Sequence, residues 1–471
     1  MKLRILPLTI LLIALLVSGA LAVDPQPAAE RWPVRPLADV ALRISDALDL
    51  DLLAAEDLRR EAEGLPWRFA EPEAVQLTPG NSGTWETLPD GRALWRLRLV
   101  GPGALSMNLG FTRFYLPGDA ALRIYASDRP GEIQAYDRTD NADHGQLWTP
   151  VVIGNEVVVE VEIDPRDRDD LGLELTRINR GYRYFGEDLG DKSGSCNIDV
   201  VCAEGDDWRD QIDTVGMISI NGIEKCTGFM ANNTAQDGRP LFITAAHCAL
   251  GPVNAQTLVV YWNYQSPTCG QQGGGSKLDA QTGATWLATM IDADFTIVEL
   301  EEQPDPDWNV KYAGWNRGAA APSSAVAIHH PSTDEKSISF ENDPLTITSY
   351  YDQVPVNETH FKVADWDLGT TEGGSSGSPL FDQDGYVVGE LHGGNAACFN
   401  NEPDWYGRLA YAWDEGEDAT SRLSDWLDPA GTGQTTLGLY DPEVASYTVT
   451  PLEDFEAAGT VGESFEPATM T

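Results

Sequence analysis

The sequence predicts an all-β protein in two parts, and three observations lead to this prediction. Short apolar or alternating runs such as "RALWRLRLV", "NEVVVEVEI" and "LFITA" recur along the chain. Turn-forming sequences such as "PGD", "PGE" and "DPRD" separate many of these runs. This pattern is typical of β-strands joined by tight turns. Every cysteine lies at or beyond position 196, which indicates that the second part is a separate domain with its own chemistry.

The first residues predict an export signal. The stretch "MKLRILPLTILLIALLVSGALA" combines early positive charges, an apolar run and small residues at Ala20 and Ala22. This order is typical of a secretory signal peptide, here residues 1–22, that is removed before Val23. No later apolar stretch of the sequence is long enough to span a bilayer. The sequence therefore predicts a secreted protein with no membrane partner.

Residues 23–192 are predicted to form an N-terminal unit. Within it, "LADVALRISDALDLDLLAAEDLRREAE" has apolar residues at helical spacing, which predicts one or two helices near residues 38–63. From about residue 66 the pattern changes to short strands and turns. The expected fold of this unit is a short helical start followed by a mainly β, sandwich-like domain.

Residues 193–440 are predicted to form the second domain, again of short strands. The domain closes with "ATSRLSDWL", which predicts a helix capped by Thr420 or Ser421. Residues 441–471 begin a β-like pattern that is expected to be the start of an incomplete C-terminal β module or a tail.

The charge of the chain limits its partners. The chain has 74 acidic and 31 basic residues, spread along its length, and a formal net charge of −43. An acidic surface repels polyanions, so nucleic acid and anionic membranes are excluded as partners. The same surface would attract cationic substrates, although solubility is the simpler interpretation.

The cysteines predict disulfides and not a metal site. The chain has six cysteines, and an even number in an exported protein favours three disulfides, with the pairing left open by spacing alone. Cys196 and Cys202 are too far apart in sequence for a typical zinc-ligand pair. His329 and His330 in "AIHHP" lack a nearby third ligand, which favours a structural role. No cofactor motif is present in the sequence.

Three short motifs supply the parts of a nucleophilic hydrolase. "FITAAHC" places His247 after an apolar strand, "DADFTIVEL" places Asp294 before one, and "EGGSSGSP" places Ser376 in a glycine-rich turn. Serine needs an imidazole base, and the imidazole needs a buried carboxylate that fixes its tautomer. Asp292 is the main rival for the carboxylate, but Asp294 directly precedes the apolar run. The sequence therefore predicts a triad of Ser376, His247 and Asp294.

Glycines around Ser376 add a second element of the site. They allow the backbone to expose the serine hydroxyl and to aim the amides of Gly374 and Ser376 at a developing oxyanion. We therefore expect these two amides to form the oxyanion hole.

The second domain resembles a known family. The resemblance rests on "SGSCNIDVVC", "CTG", "NNTA", "TAAHC", "VVYWNYQ", "ADFTIVEL", "AGWNR", "AIHHP", "GSSGSP", "LHGG", "YGR" and "SRLSDWLDP". Residues 193–440 resemble the bacterial lysyl endopeptidases, secreted serine proteases of the trypsin-like superfamily. The resemblance implies an all-β, trypsin-like double β-barrel with a C-terminal helix and the triad named above. The stretch before residue 193 resembles the family's propeptide, most clearly in "LSMNLGFTRFYLPGDAALRIY".

The resemblance also implies a disulfide pairing. The implied pairs are Cys196–Cys398, Cys202–Cys269 and Cys226–Cys248. The last pair would close a short loop beside the catalytic base.

The resemblance assigns substrate recognition to a different residue from that of trypsin. The position six residues before the nucleophile, where trypsin has its binding carboxylate, is Thr370 here. Lysyl endopeptidases instead use an Asp shortly before "YGR", which corresponds to Asp404, with Glu402 as a competing candidate. A buried carboxylate that is paired only when a cationic side chain binds would reject neutral side chains.

The resemblance also predicts how the substrate cleft is lined. His392 in "GELHGG" matches the family's histidine ring in the cleft, and Gly393 would offer backbone to pair with the substrate. The family stacks that histidine on a tryptophan, and the matching region here reads "TSYYDQ". Tyr350 or Tyr351 is therefore expected to take the place of the tryptophan.

The composition of the N-terminal unit bears on maturation. Residues 23–192 contain eighteen arginines and one lysine, and that lysine, Lys192, directly precedes "SGSCN". An enzyme that cuts after lysine would release this unit at the Lys192–Ser193 bond without degrading it. The alternative is that the chain prefers arginine throughout, with 24 arginines and 7 lysines. Because the one lysine of this unit falls at the junction that the resemblance implies, we expect Lys192 to be the self-cleavage site and the second domain to begin at Ser193.

The sequence as a whole predicts a secreted, monomeric serine endopeptidase that cleaves proteins or peptides after lysine. It is expected to be made as a zymogen with its own propeptide as a partner, and to use no metal or cofactor. One alternative is arginine or mixed Lys/Arg specificity, since Asp404 would attract either cation. Another is a catalytically silent binding protein on a protease fold, which would be marked by a lost triad residue.

Overall fold

The computed structural model describes residues 26–63, 65–183, 193–271, 273–400 and 402–446. The predicted signal peptide, Lys192 and the greater part of the predicted C-terminal module lie outside the described residues. No helix among the described residues is long and apolar enough to cross a membrane.

Within residues 26–63 and 65–183, the N-terminal part contains two α-helices and twelve strands. The helices are α1 (Ala28–Arg31) and α2 (Leu50–Ala62). The strands are β1 (Leu42–Ile44), β2 (Trp67–Arg68), β3 (Ala70–Leu77), β4 (Thr84–Thr87), β5 (Ala93–Val100), β6 (Ser106–Tyr115), β7 (Ala121–Ala126), β8 (Arg129–Tyr136), β9 (Leu147–Trp148), β10 (Val152–Ile153), β11 (Glu156–Ile163) and β12 (Gly172–Gly181).

Two sheets enclose the core of the N-terminal part. One sheet has the order β1-β5-β11-β7-β8 with β4 beside β5, and the other has the order β10-β6-β12-β3 with β9 beside β6. Strand β11 shows why the sequence folds in this way. Its alternate valines Val157, Val159 and Val161 are buried in the core, while Glu160 and Glu162 face Arg123 on the other side. The β-rich N-terminal unit predicted from the alternating runs is therefore present.

The second part contains the remaining elements, from residue 193 onward. Its strands are β13 (Ile198–Asp199), β14 (Val215–Ile220), β15 (Glu224–Ala231), β16 (Leu241–Ala245), β17 (Val259–Tyr261), β18 (Ala280–Thr282), β19 (Ala284–Met290), β20 (Phe295–Leu300), β21 (Trp315–Asn316), β22 (Ala325–His329), β23 (Ser337–Glu341), β24 (Thr346–Thr348), β25 (His360–Val363), β26 (Pro379–Asp382), β27 (Val387–Gly394), β28 (Asp404–Arg408) and β29 (Thr436–Leu437). Its helices are α3 (Arg209–Ile212), α4 (Leu409–Ala412), α5 (Ser424–Leu427) and α6 (Pro442–Ser446).

These strands form two curled sheets, one for each barrel. The first has the order β18-β17-β14-β15-β16-β20-β19, and the second has the order β13-β23-β22-β26-β27-β28-β25-β24 with β21 and β29 attached. Apolar residues of both sheets, among them Ile243, Ile297 and Ile328, share one buried cluster between the barrels. The predicted all-β, double-barrel fold is confirmed.

Two predictions about helices need correction. The helical pattern near residues 38–63 forms a helix only from Leu50, because the residues before it form a 3-10 turn and strand β1, which pairs with β5. The C-terminal helix is a single turn, Ser424–Leu427, that follows Leu423. Thr420 is not its cap, because Asp418 accepts hydrogen bonds from the Thr420 amide and hydroxyl in a preceding turn. Ser421 belongs to the same turn and is not the cap either.

The six cysteines form three disulfides in the pairing that the resemblance implies. The pairs are Cys196–Cys398, Cys202–Cys269 and Cys226–Cys248. Cys226 lies on β15 and Cys248 lies in the turn after β16, so this bond joins a barrel strand to the turn that carries His247. All three bonds lie within the second part of the chain.

The N-terminal part docks on the first barrel. Strand β2 extends the barrel sheet by pairing with Glu224 and Lys225 of β15. Phe69 is 2% exposed and packs in a cluster that includes barrel residues such as Tyr261. The hydroxyl of Tyr261 also accepts a hydrogen bond from the buried amide of Val151, at 3.0 Å. The interface therefore combines a shared sheet edge, apolar packing and buried hydrogen bonds.

This interface predicts a stability effect. Replacing Phe69 by Ala leaves a cavity between the two parts, which is expected to lower the free energy of unfolding by about 3–5 kcal/mol. Urea denaturation of the uncut chain measures the change. Leu58→Ala is the matched control, because Leu58 is 68% exposed and its truncation is expected to cost less than about 0.5 kcal/mol. Equal effects of the two substitutions would show that Phe69 does not stabilise the interface.

Candidate active site

His247 and Asp294 are brought together by the pairing of two strands. His247 lies in a 3-10 turn directly after β16, and Asp294 directly precedes β20. The two strands are antiparallel, with Ala245 opposite Phe295. The end of one strand therefore meets the start of the other, which places the two side chains at the same edge of the first barrel. This is why an imidazole and a carboxylate that are 47 positions apart can form a hydrogen bond.

The three predicted triad side chains form one chain of hydrogen bonds. His247 Nδ1 lies 2.6 Å from Asp294 Oδ2, and His247 Nε2 lies 2.8 Å from Ser376 Oγ. The His247 amide donates to Asp294 Oδ1 at 2.9 Å. An ionised carboxylate only accepts hydrogen bonds, so it places the imidazole proton on Nδ1 and leaves Nε2 free to accept from the serine hydroxyl. Asp292 is exposed, and the structure places Asp294, not Asp292, against the imidazole.

The backbone around Ser376 is held in place by the first barrel. The Thr227 amide donates to the Ser376 carbonyl at 2.8 Å, and Thr227 Oγ1 donates to the Gly374 carbonyl at 2.9 Å. Gly374 has φ +94°, and a Cβ there would lie 2.5 Å from Thr333 Cγ2. Glycine is therefore required at this position by both conformation and space. Among the described residues, neither the Gly374 nor the Ser376 amide donates a hydrogen bond to the protein.

Asp404 is a buried carboxylate beside the segment that leads to Ser376. It is 1% exposed, and its Oδ2 accepts hydrogen bonds from Trp366 Nε1 at 2.8 Å and Thr371 Oγ1 at 2.6 Å. Burial raises the pKa of Asp404, and these hydrogen bonds oppose the rise. Among the described residues, no Lys, Arg or His forms an ion pair with it. Glu402, the competing candidate, is exposed.

His392 occupies the centre of an aromatic stack next to the triad. Its ring lies parallel to the Tyr350 ring, with centroids 3.6 Å apart, and 5.6 Å from the His247 ring. Its Nε2 is 3.8 Å from Asp294 Oδ2. Burial lowers the pKa of His392 to about 4, with a smaller opposing effect from Asp294, so the ring is neutral near pH 7.

The structure distinguishes the two candidate tyrosines. Tyr350 stacks on His392, whereas Tyr351 packs against Trp405 with ring centroids 4.5 Å apart. Gly393, next to His392, lies opposite Trp405 in the strand pairing. A Cβ on Gly393 would lie 3.4 Å from the Tyr350 hydroxyl oxygen. Of the two tyrosines, Tyr350 is therefore the one that stacks on His392.

Sequence reasoning missed two residues near the triad. His360 Nε2 lies 2.9 Å from His392 Nδ1, and its own Nδ1 lies 2.7 Å from Thr359 Oγ1. Glu390 is fully buried, and burial and the nearby Asp294 raise its pKa well above the ordinary value. Glu390 stands in "GELHGG", two positions before His392, but the motif gave it no role. His360 belongs to no motif, and only the pairing of β27 and β25 with β28 could have indicated its position.

The adjacent histidines His329 and His330 are buried and form hydrogen bonds within the protein. His329 Nδ1 lies 2.8 Å from Ser375 Oγ and His329 Nε2 lies 3.0 Å from Ser339 Oγ, while His330 Nδ1 lies 2.9 Å from the Asp334 carbonyl. Burial lowers the pKa of His329 to about 3, so it packs as a neutral ring. In the described part of the chain, the group with metal-ligand spacing is His247, Asp294 and His392. The hydrogen bond between His247 and Asp294 already uses two of these ligand atoms.

Both parts of the chain match described protein families. Residues 54–177 match the lysyl endopeptidase N-terminal domain, and residues 190–407 match the lysyl endopeptidase C-terminal domain. A lysyl endopeptidase of Pseudomonas aeruginosa is 29% identical to this chain over 367 residues, which are 71% of this chain and 75% of the relative.

Solved structures of proteases are more distant. The active form of the Rv3671c protease from M. tuberculosis is 16% identical, with 48% of this chain and 88% of that chain covered and a TM-score of 0.29. A Glu endopeptidase in complex with MPD is 14% identical, with 42% and 85% covered and a TM-score of 0.29. The two family matches cover most of the chain and fall on its two structural parts. The chain belongs to the lysyl endopeptidase family and is a serine endopeptidase.

Proposed function

We propose that the protein is a secreted lysyl endopeptidase that cleaves peptide bonds on the carboxyl side of lysine and is made as a zymogen. The observation that carries the proposal is the hydrogen-bonded chain Ser376–His247–Asp294 beside the buried carboxylate of Asp404. The name of the Pseudomonas aeruginosa relative supports the same activity.

The proposed mechanism follows from the positions of these side chains. Ser376 Oγ attacks the carbonyl carbon that follows the lysine, and His247 Nε2 takes the hydroxyl proton and later gives it to the leaving amine. Asp294 stays ionised and stabilises the imidazolium. The amides of Gly374 and Ser376 donate to the oxyanion, and water then releases the acyl group from Ser376 by the same steps.

The specificity proposal rests on the state of Asp404. Its carboxylate has no cationic partner among the described residues, so a substrate cation would supply the missing charge. Its Oδ2 already accepts from Trp366 and Thr371, which leaves few acceptor positions open. A planar guanidinium pairs best with both oxygens of a carboxylate at once, whereas the ammonium of lysine is a compact point charge that can pair with a single oxygen. This geometry favours lysine over the arginine or mixed alternative.

A further part of the proposal concerns the substrate cleft and the stacked rings of His392 and Tyr350. We assign His392 and Gly393 to the binding of the substrate backbone, with Tyr350 as the support that holds the His392 ring flat. Because His392 is neutral, it adds no positive charge next to the triad that would repel the imidazolium of His247. Because one nitrogen of the His360 Nε2–His392 Nδ1 pair must carry the proton, this contact couples the tautomer of His392 to that of His360.

The maturation proposal concerns the two parts of the chain. Residues 1–22 act as the signal peptide, residues 23–192 as the propeptide, and residues 193–440 as the protease, with cleavage between Lys192 and Ser193. The N-terminal part is then a partner of the protease, and proteins or peptides with lysine are its substrates. We also propose that the mature protein is monomeric. The pairing of β2, in the N-terminal part, with β15 of the first barrel supports the propeptide assignment.

Removal of the nucleophile tests the mechanism and the maturation together. Ser376→Ala is expected to lower turnover by about a million-fold, because a triad without its nucleophile keeps only residual catalysis. Intact mass and N-terminal sequencing of the secreted proteins are expected to show Ser193 as the first residue of the wild type and an uncut junction in the variant. Substantial turnover by the purified variant would contradict the assignment of Ser376. If both proteins began at Ser193, another protease would be responsible for maturation.

Replacement of Asp404 tests the specificity. Asp404→Asn keeps the shape of the side chain and removes its charge, so the protein is expected to fold and to lose its preference for cationic side chains. The kcat/KM values for peptides that differ only in Lys, Arg or Met before the cleaved bond measure this preference. Glu402→Gln is the control, and its preference is expected to remain unchanged. An unchanged preference for lysine in Asp404→Asn would exclude Asp404 as the binding residue.

Removal of the Tyr350 ring tests whether its stacking on His392 keeps the histidine ring neutral. Because burial lowers the pKa of His392 to about 4, opening one face of the ring in Tyr350→Ala is expected to raise that pKa toward the reference of about 6.5. NMR titration of the His392 ring measures the shift. Tyr350→Phe keeps the ring and is expected to leave the pKa unchanged. A pKa that did not rise in Tyr350→Ala would show that other groups bury His392.

A further inference from the structure

The lysines of the second part differ in how far another protease molecule could reach them. From residue 193 onward the chain contains five lysines. Lys225 and Lys336 are each 1% exposed. Lys362 lies in β25, which pairs with β24 and β28, and Lys311 Nζ forms ion pairs with three aspartates, the nearest at 2.6 Å. Proteases cut exposed loops in preference to buried or paired segments, so these four lysines are poor targets in the folded chain.

The fifth lysine, Lys277, lies in a glycine-rich loop. Residues 273–278 read "GGGSKL" and have no regular secondary structure. Gly273 and Gly274 have φ of +98° and +97°, and glycine can leave such a conformation for an extended one without steric cost. Leu278, on the other side of the peptide bond after Lys277, is 56% exposed. The loop can therefore adopt the extended shape that a protease cleft binds.

In the uncut chain, the N-terminal part lies over this loop. A cavity of about 350 Å³ is lined by Ile153 of the N-terminal part on one side and by Lys277 and Leu278 on the other. The same two loop residues line a larger groove of about 1130 Å³, across which His144 Nε2 of the N-terminal part lies 2.8 Å from Glu301 Oε1. A protease cleft has to enclose the loop, and the docked N-terminal part stands in its way.

The fold would hold both ends of the loop after a cut behind Lys277. On one side, the Gly273 and Gly275 amides donate to Glu335 Oε2 and Oε1 at 2.7 and 2.6 Å. On the other side, strand β18 begins at Ala280 and pairs with β17. The cut falls between strands of the first barrel, so the strand pairing of the barrel stays intact.

The disulfides would also keep the two fragments together. Cys202–Cys269 and Cys226–Cys248 lie wholly before Lys277, whereas Cys196–Cys398 joins a residue before the cut to a residue after it. A cut after Lys277 therefore adds only the mass of one water to the oxidised protein. Reduction is needed to separate the fragments.

We propose that the Lys277–Leu278 bond is a second self-cleavage site, which the N-terminal part covers in the uncut chain and exposes when it leaves. The inference rests on the proposed specificity for lysine and on the proposed cleavage before Ser193. Ser376 of one molecule attacks the Lys277 carbonyl of another, the Leu278 nitrogen takes a proton and leaves as an amine, and water then releases the acyl group. The net reaction adds one water across the bond. The product is a two-chain protease.

Mass spectrometry of the mature protein tests the site. The purified wild type is expected to gain the mass of one water on standing and, after reduction, to give one chain that ends at Lys277 and one that begins at Leu278. The bonds after the other four lysines are expected to stay intact in the same sample. Lys277→Gln is expected to lose this cut and to keep the wild-type kcat for a lysine peptide, because neither the triad nor Asp404 is changed. A first cut after a different lysine would overturn the proposal.

Two inactive substrates test the covering of the loop. Both carry Ser376→Ala, so only an added trace of mature wild-type enzyme can cut them. The first is cut briefly before Ser193 and separated from its N-terminal part by size-exclusion chromatography, and the second carries Lys192→Gln, which keeps the N-terminal part attached. Cleavage follows the fraction of molecules in which the bond is accessible, so the bond after Lys277 is expected to be cut at least about tenfold more slowly in the second. Equal rates, or parts that do not separate, would overturn the proposal.

The identity of the cut bond distinguishes failure of this inference from failure of the proposed function. A wild type that is cut before Ser193 and cleaves lysine peptides, but stays a single chain after reduction, would overturn the second site alone. Lys277→Arg keeps the charge and is expected to stay uncut. A cut of the same bond in Lys277→Arg at the wild-type rate would confirm the site and overturn the specificity for lysine.

Discussion

The buried carboxylate of Asp294 is the interaction on which the rest of the site depends. It accepts hydrogen bonds from both the backbone and the ring of His247, so it fixes the position and the tautomer of the base together. That carboxylate is in place because β16 and β20 pair antiparallel at the edge of the first barrel. The second barrel then needs only to bring Ser376 to the other side of the imidazole. Burial makes these bonds strong, because little water is present to compete with them.

Burial also explains why the titratable side chains around the triad favour their uncharged forms. His392 and Glu390 interact with the Asp294 carboxylate, and His360 lies against His392. Burial shifts the pKa of each of the three toward its uncharged form. Two further buried carboxylates are those of Asp294, in the hydrogen-bonded triad, and Asp404, beside the segment that leads to Ser376. In the function proposed above, Asp294 stabilises the imidazolium of His247, and Asp404 pairs with the cation of the substrate.

The sequence predicted the parts of the site that motifs carry, and it did not predict those that only strand pairing assembles. His247, Asp294 and Ser376 stand in short motifs whose chemistry is recognisable from residue type. His360 is missed because it meets His392 across two strand pairings that link β27, β28 and β25.

The helices were predicted less accurately than the strands. The pattern before Leu50 has helical spacing, but pairing of β1 with β5 takes precedence over that local preference. Near the C-terminus, Asp418 binds Thr420 in a turn and delays the helix to Ser424. In both places a contact outside the helical segment decided the outcome.

The distribution of the cysteines has a consequence for the fate of the N-terminal part. All three disulfides join residues at or beyond Cys196, and residues 23–192 contain no cysteine. If the chain is cut ahead of Ser193 as proposed, no covalent link connects the two parts. Their association then becomes an ordinary equilibrium that obeys mass action, so dilution after export shifts it toward the separate protease. If the protein is also secreted as proposed, the concentration of free enzyme would then depend on how far the two parts are diluted outside the cell.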